Sequence, residues 1–384
     1  QVSNPYNTQE SPAGSSSGTG ASLASNFALG GTGSDTCQSI RHPSSVNGLV
    51  GIRPSLGVIS QHGIFPLSHA RDTGGPMTRT VRDAALMLSA MASVDARDFR
   101  TLEFPASERP DNYEIFLDRQ RFGVAGRNIG VLRRLGTGTS PAGSGQQGAL
   151  IAEAVAKMEA MDANIYDIFL PDFDSRGAGN QNYDVGDYFN VFETSGGSSA
   201  RRCLSSANSG TANGRAACIG ADGILETGRT GPRSAGLVAL GATGDPDAPG
   251  TQEALDAMVG ERDYVTGIMD ALVDVDGNPV MDAEGNQVRL DAFILSPGPT
   301  GGRTCDLGST THMGSIVVPV GFDTSVAGDA DTEGRGVPRG MEIFVRRFDE
   351  GTGLGIAYDY EQATLHRSAP FIEPSAESGN ETTA

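Results

Sequence analysis

The residues with the most chemical potential lie early, in two hydroxyl-rich clusters, Gly14-Ser15-Ser16-Ser17-Gly18 and Ser34-Asp35-Thr36-Cys37-Gln38-Ser39-Ile40-Arg41. An apolar run of small residues, 21–29, separates them and suits a short helix. A loop, a short helix and a second loop can bring two serines together. That is a start for nucleophilic catalysis, because a serine hydroxyl is inert until a neighbour takes its proton.

The first cluster formally matches Gly-x-Ser-x-Gly with Ser16 in the middle, but a nucleophile elbow needs an apolar strand before it. Polar Asn7-Thr8-Gln9-Glu10 stands there instead, and the reading fails. No Gly-Lys-Ser/Thr follows the glycines, so a phosphate-cradling loop is excluded. His42, His62, His69, His312 and His366 form no ligand pair on one helical face, and no metal site is expected. All five read as surface or packing residues, although His42 sits close to the serines. A serine nucleophile without a histidine needs another proton acceptor, and serine–lysine variants are the obvious class. For the residues in isolation, a Gly/Ser-rich connector is the competing reading.

Around these loops the sequence alternates helix and strand patterns, which favours an α/β architecture. Residues 46–59 suggest short strands and tight turns. Thr80-x-x-Asp83 resembles a capping box, followed by Val81, Ala84, Ala85 and Leu88 at helical spacing. Helices are expected over 148–161, 254–273 and 355–365, with strands over 128–132, 165–170, 292–295, 315–320 and 341–345. Residues 274–291 carry two similar turns, Asp276-Gly277-Asn278 and Glu284-Gly285-Asn286; their spacing fails a calcium-binding EF-hand loop, so a β-hairpin is favoured. The Gly-, Ser- and Asn-rich stretch 173–250 reads as a lid or substrate-side insertion, with loop-tip disorder as the alternative. Residues 373–384 read as a polar tail.

The 384 residues suffice for one large domain or two ordinary ones, and a single domain over 1–372 is the expectation. No stretch is apolar enough to span a membrane. A net charge of −19 argues against a nucleic-acid partner. Lys157 is the single lysine. Cys203 and Cys218 flank a loop that could carry a disulfide; if so, export is implied, and otherwise a cytoplasmic location.

At this point the sequence resembles the amidase signature family. Asn4-Pro5-Tyr6-Asn7 corresponds to its lead-in, and the Gly-Ser-Ser-Ser-Gly and Ser34–Pro43 segments follow in order. Gly48-Leu49-Val50-Gly51-Ile52-Arg53-Pro54-Ser55 and Asp72-Thr73-Gly74-Gly75-Pro76-Met77 continue the pattern. Gly336-Val337-Pro338, Phe348-Asp349-Glu350 and Ala357-Tyr358-Asp359-Tyr360-Glu361-Gln362-Ala363 resemble its closing strand and helix.

The resemblance implies a mixed, twisted central sheet covered by helices on both faces, with the serine-bearing region at its centre. It implies a Ser–cis-Ser–Lys triad in which Ser39 is the nucleophile and Ser15, after a cis Gly14–Ser15 peptide, relays protons. Backbone N–H groups of Thr36, Cys37, Gln38 and Ser39 would form the oxyanion hole, with Ser16, Asp35 and Arg41 as structural supports and Arg41 in an ion pair. Thr300 and Cys305 fall on a loop that borders the family's pocket. The implied reaction is hydrolysis of a small-molecule carboxamide, aryl or alkyl amide, ester or carbamate through an acyl-enzyme, with no cofactor.

Two departures stand out. Cys37 and Gln38 occupy positions where the family has glycine, and Cys37 offers a rival thiol nucleophile. The family's lysine is expected several tens of residues upstream of Ser15, further than this chain reaches back. A missing or separately supplied N-terminal part bearing that lysine is the leading expectation; a catalytically silent relative and a base of another type are the others. An amidotransferase-type subunit working in a complex, and a homo-oligomer, stay open.

Overall fold

Strand β7 (Ala292–Leu295) shows why the sheet is covered on both faces. Ala292 and Ile294 join one apolar cluster with Val81, Ile151 and Leu354, whereas Phe293 and Leu295 join another with Val265 and Met269. Successive strand residues point to opposite faces, so four buried residues in a row require a helix layer on each side. In this computed structural model the residues described are 2–64, 68, 70–136, 138–139, 141–173, 251–298, 304–326 and 336–370, with backbone alone at 138–139, 251–254 and 304–306.

The other described strands are β1 (Gly30–Asp35), β2 (Val50–Arg53), β3 (Thr73–Thr78), β4 (Asn128–Leu135), β5 (Gly138–Thr139), β6 (Asn164–Leu170), β8 (Ser315–Asp323) and β9 (Val337–Phe344). All join one sheet in the order β1-β3-β2-β8-β9-β7-β4-β5, with β6 also on β4. Parallel pairs β4–β6 and β4–β7 stand beside antiparallel ones, so the sheet is mixed. The helices are α1 (Ser17–Ala24), α2 (Arg41–Val46), α3 (Val81–Met91), α4 (Arg119–Phe122), α5 (Gly145–Glu159), α6 (Thr251–Asp270), α7 (Thr304–Thr311) and α8 (Glu350–Thr364). Helices α3, α5 and α8 supply Val81, Ile151 and Leu354 to the first cluster; α6 supplies Val265 and Met269 to the second. The α/β architecture is thus as expected.

Some boundaries differ, for identifiable reasons. Helix α1 covers Ser17–Ala24 and leaves Phe27 and Leu29 exposed, so the apolar run 21–29 is not one buried face. Helix α8 starts at Glu350, ahead of the expected 355, because Gly351, Gly353 and Gly355 are packing glycines inside it. A Cβ at Gly355 would lie 2.6 Å from Cβ of Phe122. Tertiary contact here overrides the low helix propensity of glycine. Strand β1 stands at one edge of the described sheet, not at its centre: Gly-Gly-Thr-Gly-Ser-Asp has no apolar side chains to bury on two faces, and only Asp35 is fully buried.

The Thr80 cap and the turns of 274–291 are as expected. The Thr80 hydroxyl caps α3 by accepting the Asp83 N–H at 3.1 Å. In 274–291 the Asp274 carboxylate accepts N–H bonds from Asp276 and Asn278, and Asp282 does the same for Glu284 and Asn286. Antiparallel bridges Val273–Pro279 and Met281–Gln287 close the two turns. No group of three potential ligands gathers there or elsewhere among the described residues. None of the helices is long and apolar enough to cross a membrane among those residues. The insertion beyond Phe173, the Cys203–Cys218 pairing and the tail lie outside the described residues.

Candidate active site

Two loops converge at the start of α2. The Ser16 N–H donates to the Ser39 carbonyl oxygen at 3.2 Å, which joins the two serine clusters through the backbone. The Ser16 hydroxyl reaches the Ser34 carbonyl at 3.4 Å, and the Gly14–Ser15 peptide is cis. Gly33 permits the approach: a Cβ there would sit 2.7 Å from the Ser16 Oγ and 2.8 Å from Ile40. The lead-in asparagines fix the first loop from below. Asn4 donates to the Val46 carbonyl at 2.8 Å, while Asn47 donates to the carbonyls of Pro12 and Pro43 at 2.9 and 2.7 Å. Both ends of the Ser15 loop are therefore referenced to α2, the helix that Ser39 precedes.

Asp35 shapes the second loop. Its Oδ2 accepts the Ile40 N–H at 2.9 Å and the Arg41 N–H at 3.4 Å, folding residues 36–39 into a tight turn. The N–H groups of Gln38 and Ser39 have no acceptor among the described residues, while the Gln38 carbonyl takes the His42 N–H at 2.9 Å. Thr36 donates its hydroxyl to Asp72 at 2.5 Å. Backbone donors without an acceptor among the described residues, beside a serine, are available to a developing oxyanion.

Beneath the turn lies a fully buried charge network. Asp35 pairs with Arg41 at 3.2 Å and with Arg53 at 2.9 Å, and Arg41 reaches Glu342 on β9 at 2.8 Å. Burial alone would push the Asp35 carboxyl up, but the Arg41 and Arg53 guanidiniums and the Ile40 N–H outweigh it and hold it below the usual carboxylate range. Arg53 also donates to the Arg71 carbonyl at 2.8 Å, tying β2 to the chain entering β3. Burial pushes Arg53 down despite Asp35.

Ser15 is exposed and Ser39 half-buried, so both face accessible space. Neither hydroxyl is hydrogen-bonded among the described residues; the loops meet through the Ser16 N–H and the Ser16 hydroxyl, not through the side chains of Ser15 and Ser39. Cys37 is disulfide-bonded, to a partner outside the described residues, so its sulfur is not the free thiol that a rival nucleophile needs. Thr300 and the Cys305 side chain lie outside the described residues, although α7 carries the Cys305 backbone. Lys157 is exposed on α5.

Several neighbours had no role in the sequence reading. Glu342, Arg53 and Asp72 complete the charge network. His42 opens a cavity of about 320 Å³ shared with Gln146, Gly298 and Arg339, and burial, then Arg339, pushes its imidazole down to about 4. His312 lies 2.8 Å from the Ala70 carbonyl through Nε2, and burial with Arg347 and Arg53 pushes it down to about 3. Arg53 and Asp72 stood inside motifs already noticed, but a buried partner three hundred positions away, such as Glu342 for Arg41, leaves no local signal.

Residues 1–180 match the family model described as Amidase. The glutamyl-tRNA(Gln) amidotransferase A subunit of Ralstonia nicotianae is 38% identical over 174 residues, covering 44% of this chain and 35% of the relative. Its counterpart in Cereibacter sphaeroides is 38% identical over 171 residues, 44% of this chain and 33% of that protein. The chain thus aligns with about a third of the length of these relatives. Among solved structures, native peptide amidase from Stenotrophomonas maltophilia superposes with a TM-score of 0.73 at 25% identity, over 97% of this chain and 70% of that one. A bacterial aryl acylamidase shares the fold with a TM-score of 0.60 at 20% identity, over 97% and 70% of the two chains.

Proposed function

Through residues 1–180 the chain belongs to the amidase signature family, and from that premise we propose that it hydrolyses a carboxamide or an aryl or alkyl amide through an acyl-enzyme on Ser39. The Ser39 Oγ attacks the carbonyl carbon, and its proton passes to Ser15 and on to a base. Negative charge on the carbonyl oxygen is met by the N–H groups of Gln38 and Ser39, with those of Thr36 and Cys37 as further candidates. The proton returns to the leaving amine as the C–N bond breaks, and water then releases the carboxylic acid.

The observation that carries this reading is the 3.2 Å bond from the Ser16 N–H to the Ser39 carbonyl, beside two unoccupied N–H donors. Unbonded serine hydroxyls fit a resting state, since catalytic hydrogen bonds often tighten only when substrate is bound. The base in this scheme is the family's lysine, a place we give to none of the described residues. Ser16, Asp35 and Arg41 act as supports, and Thr300 and Cys305 as pocket residues. A net charge of −19 disfavours anionic substrates, which points to a neutral amide. Release of free amine from a neutral aryl amide by the full natural protein, lost in Ser39→Ala, tests it.

The identity to amidotransferase A subunits favours a second reading, in which the chain serves as one component of a complex. A stable partner that co-purifies at fixed stoichiometry separates this from a free-standing hydrolase.

A further inference from the structure

Where α8 ends, a cavity of about 290 Å³ is lined by Arg79, Thr80, Val318, Pro319, His366 and Arg367. None of these residues belongs to the serine loops. Three buried guanidiniums are matched with carboxylates: Arg41 and Arg53 with Asp35, and Arg100 with Asp98. The two arginines of this cavity are not. Arg79 turns one terminal nitrogen to the carbonyls of Leu23 and Ala28, at 3.1 and 2.6 Å. Arg367 has its Nε and Nη2 atoms shielded from solvent without a hydrogen-bond partner among the described residues.

Glu361 also borders the cavity, but its Oε1 is taken by the Val81 N–H at 2.8 Å, and it forms no ion pair with either arginine among the described residues. Burial, then Arg79, pushes the Arg367 guanidinium below its ordinary value, with Tyr6 offsetting part of the effect. Two half-buried cations therefore border one space with Glu361 as the one carboxylate in its lining, and among the described residues neither arginine pairs with it; an added anion would supply the missing partner.

We propose that this cavity binds a small oxyanion-bearing molecule, a carboxylate or a phosphate, gripped by Arg367 and Arg79. Planar guanidinium forks match both groups in geometry. Val318 and Pro319 supply an apolar wall for the rest of the ligand, and His366 stands at the rim. The volume is at the low end of the range for ligand pockets, which restricts the occupant to a small molecule.

The test is calorimetric titration of the full chain with inorganic phosphate and, separately, with acetate, at an ionic strength fixed by chloride. Saturable binding of either anion, weakened at least tenfold by Arg367→Gln and by Arg79→Gln, supports the site, and the preferred anion identifies the oxyanion type. In chloride alone Arg367→Gln should melt no lower than the parent, because Arg367 has no hydrogen-bond or ion-pair partner among the described residues to lose. Absence of saturable binding of both anions to the parent overturns the proposal. So does undiminished binding in both variants, or a lower melting temperature for Arg367→Gln in chloride.

Discussion

The N–H of Ser16 and the carbonyl oxygen of Ser39 lie 3.2 Å apart, and this one bond brings together two loops separated in sequence by helix α1 and strand β1. It places the proposed relay serine, Ser15, one residue from the contact and the proposed nucleophile at the contact itself. In these proposed roles, Ser39→Ala lowers amide turnover by about 10⁶-fold. Ser15→Ala should lower it by roughly 10²–10⁴-fold, the usual worth of positioned proton transfer. Steady-state kinetics on both variants, with thermal melts to confirm folding, checks the pair.

Gly33→Ala probes the contact without touching a reactive group. The new Cβ would fall 2.7 Å from the Ser16 Oγ and 2.8 Å from Ile40. Overpacking of this kind costs about 1–3 kcal/mol. The protein should still fold, with turnover falling well beyond what its lower stability explains. Unchanged turnover would mean that the spacing of the two loops is not critical.

Asp35 holds two backbone N–H groups and two buried guanidiniums. Asp35→Ala leaves Arg41 and Arg53 without this carboxylate, and removing one partner of a buried ion pair costs about 3–5 kcal/mol. Urea denaturation should show a loss of that size, whereas a change confined to activity would make Asp35 a substrate contact instead.

Stability should fall in acid in two stages. His42 and His312 are held neutral, at about 4 and about 3 against an ordinary 6.5. Below pH 6.5 the unfolded chain takes up protons that the folded chain refuses, so stability drops as pH falls from there towards 4. Asp35 is depressed, so its contribution is kept above the ordinary carboxylate value and lost only below it. Glu350 and Glu361, pushed up by burial, act in the opposite sense, so the comparison must be between variants. The melting temperature of His312→Asn should change less between pH 6.5 and 4 than that of the parent.

Much of this arrangement is legible in the chain itself. Clustered serines, the Thr80 cap and the alternation of apolar residues are local signals, and local signals survive in a sequence. The hidden features depend on distance or on packing. Glu342 meets Arg41 only because β9 closes beside β8, and nothing near either residue announces it. Gly351, Gly353 and Gly355 read as helix breakers until the neighbours pressing on them, such as Phe122 and Ile316, are known. The edge position of β1 depends likewise on strand order, which spacing alone does not determine.

The most direct measurement is covalent labelling of the full natural protein with a fluorophosphonate, followed by peptide mass mapping. The account predicts a single adduct on Ser39, strongly reduced by Ser15→Ala. An adduct on a different residue, or none on a folded protein, would contradict it.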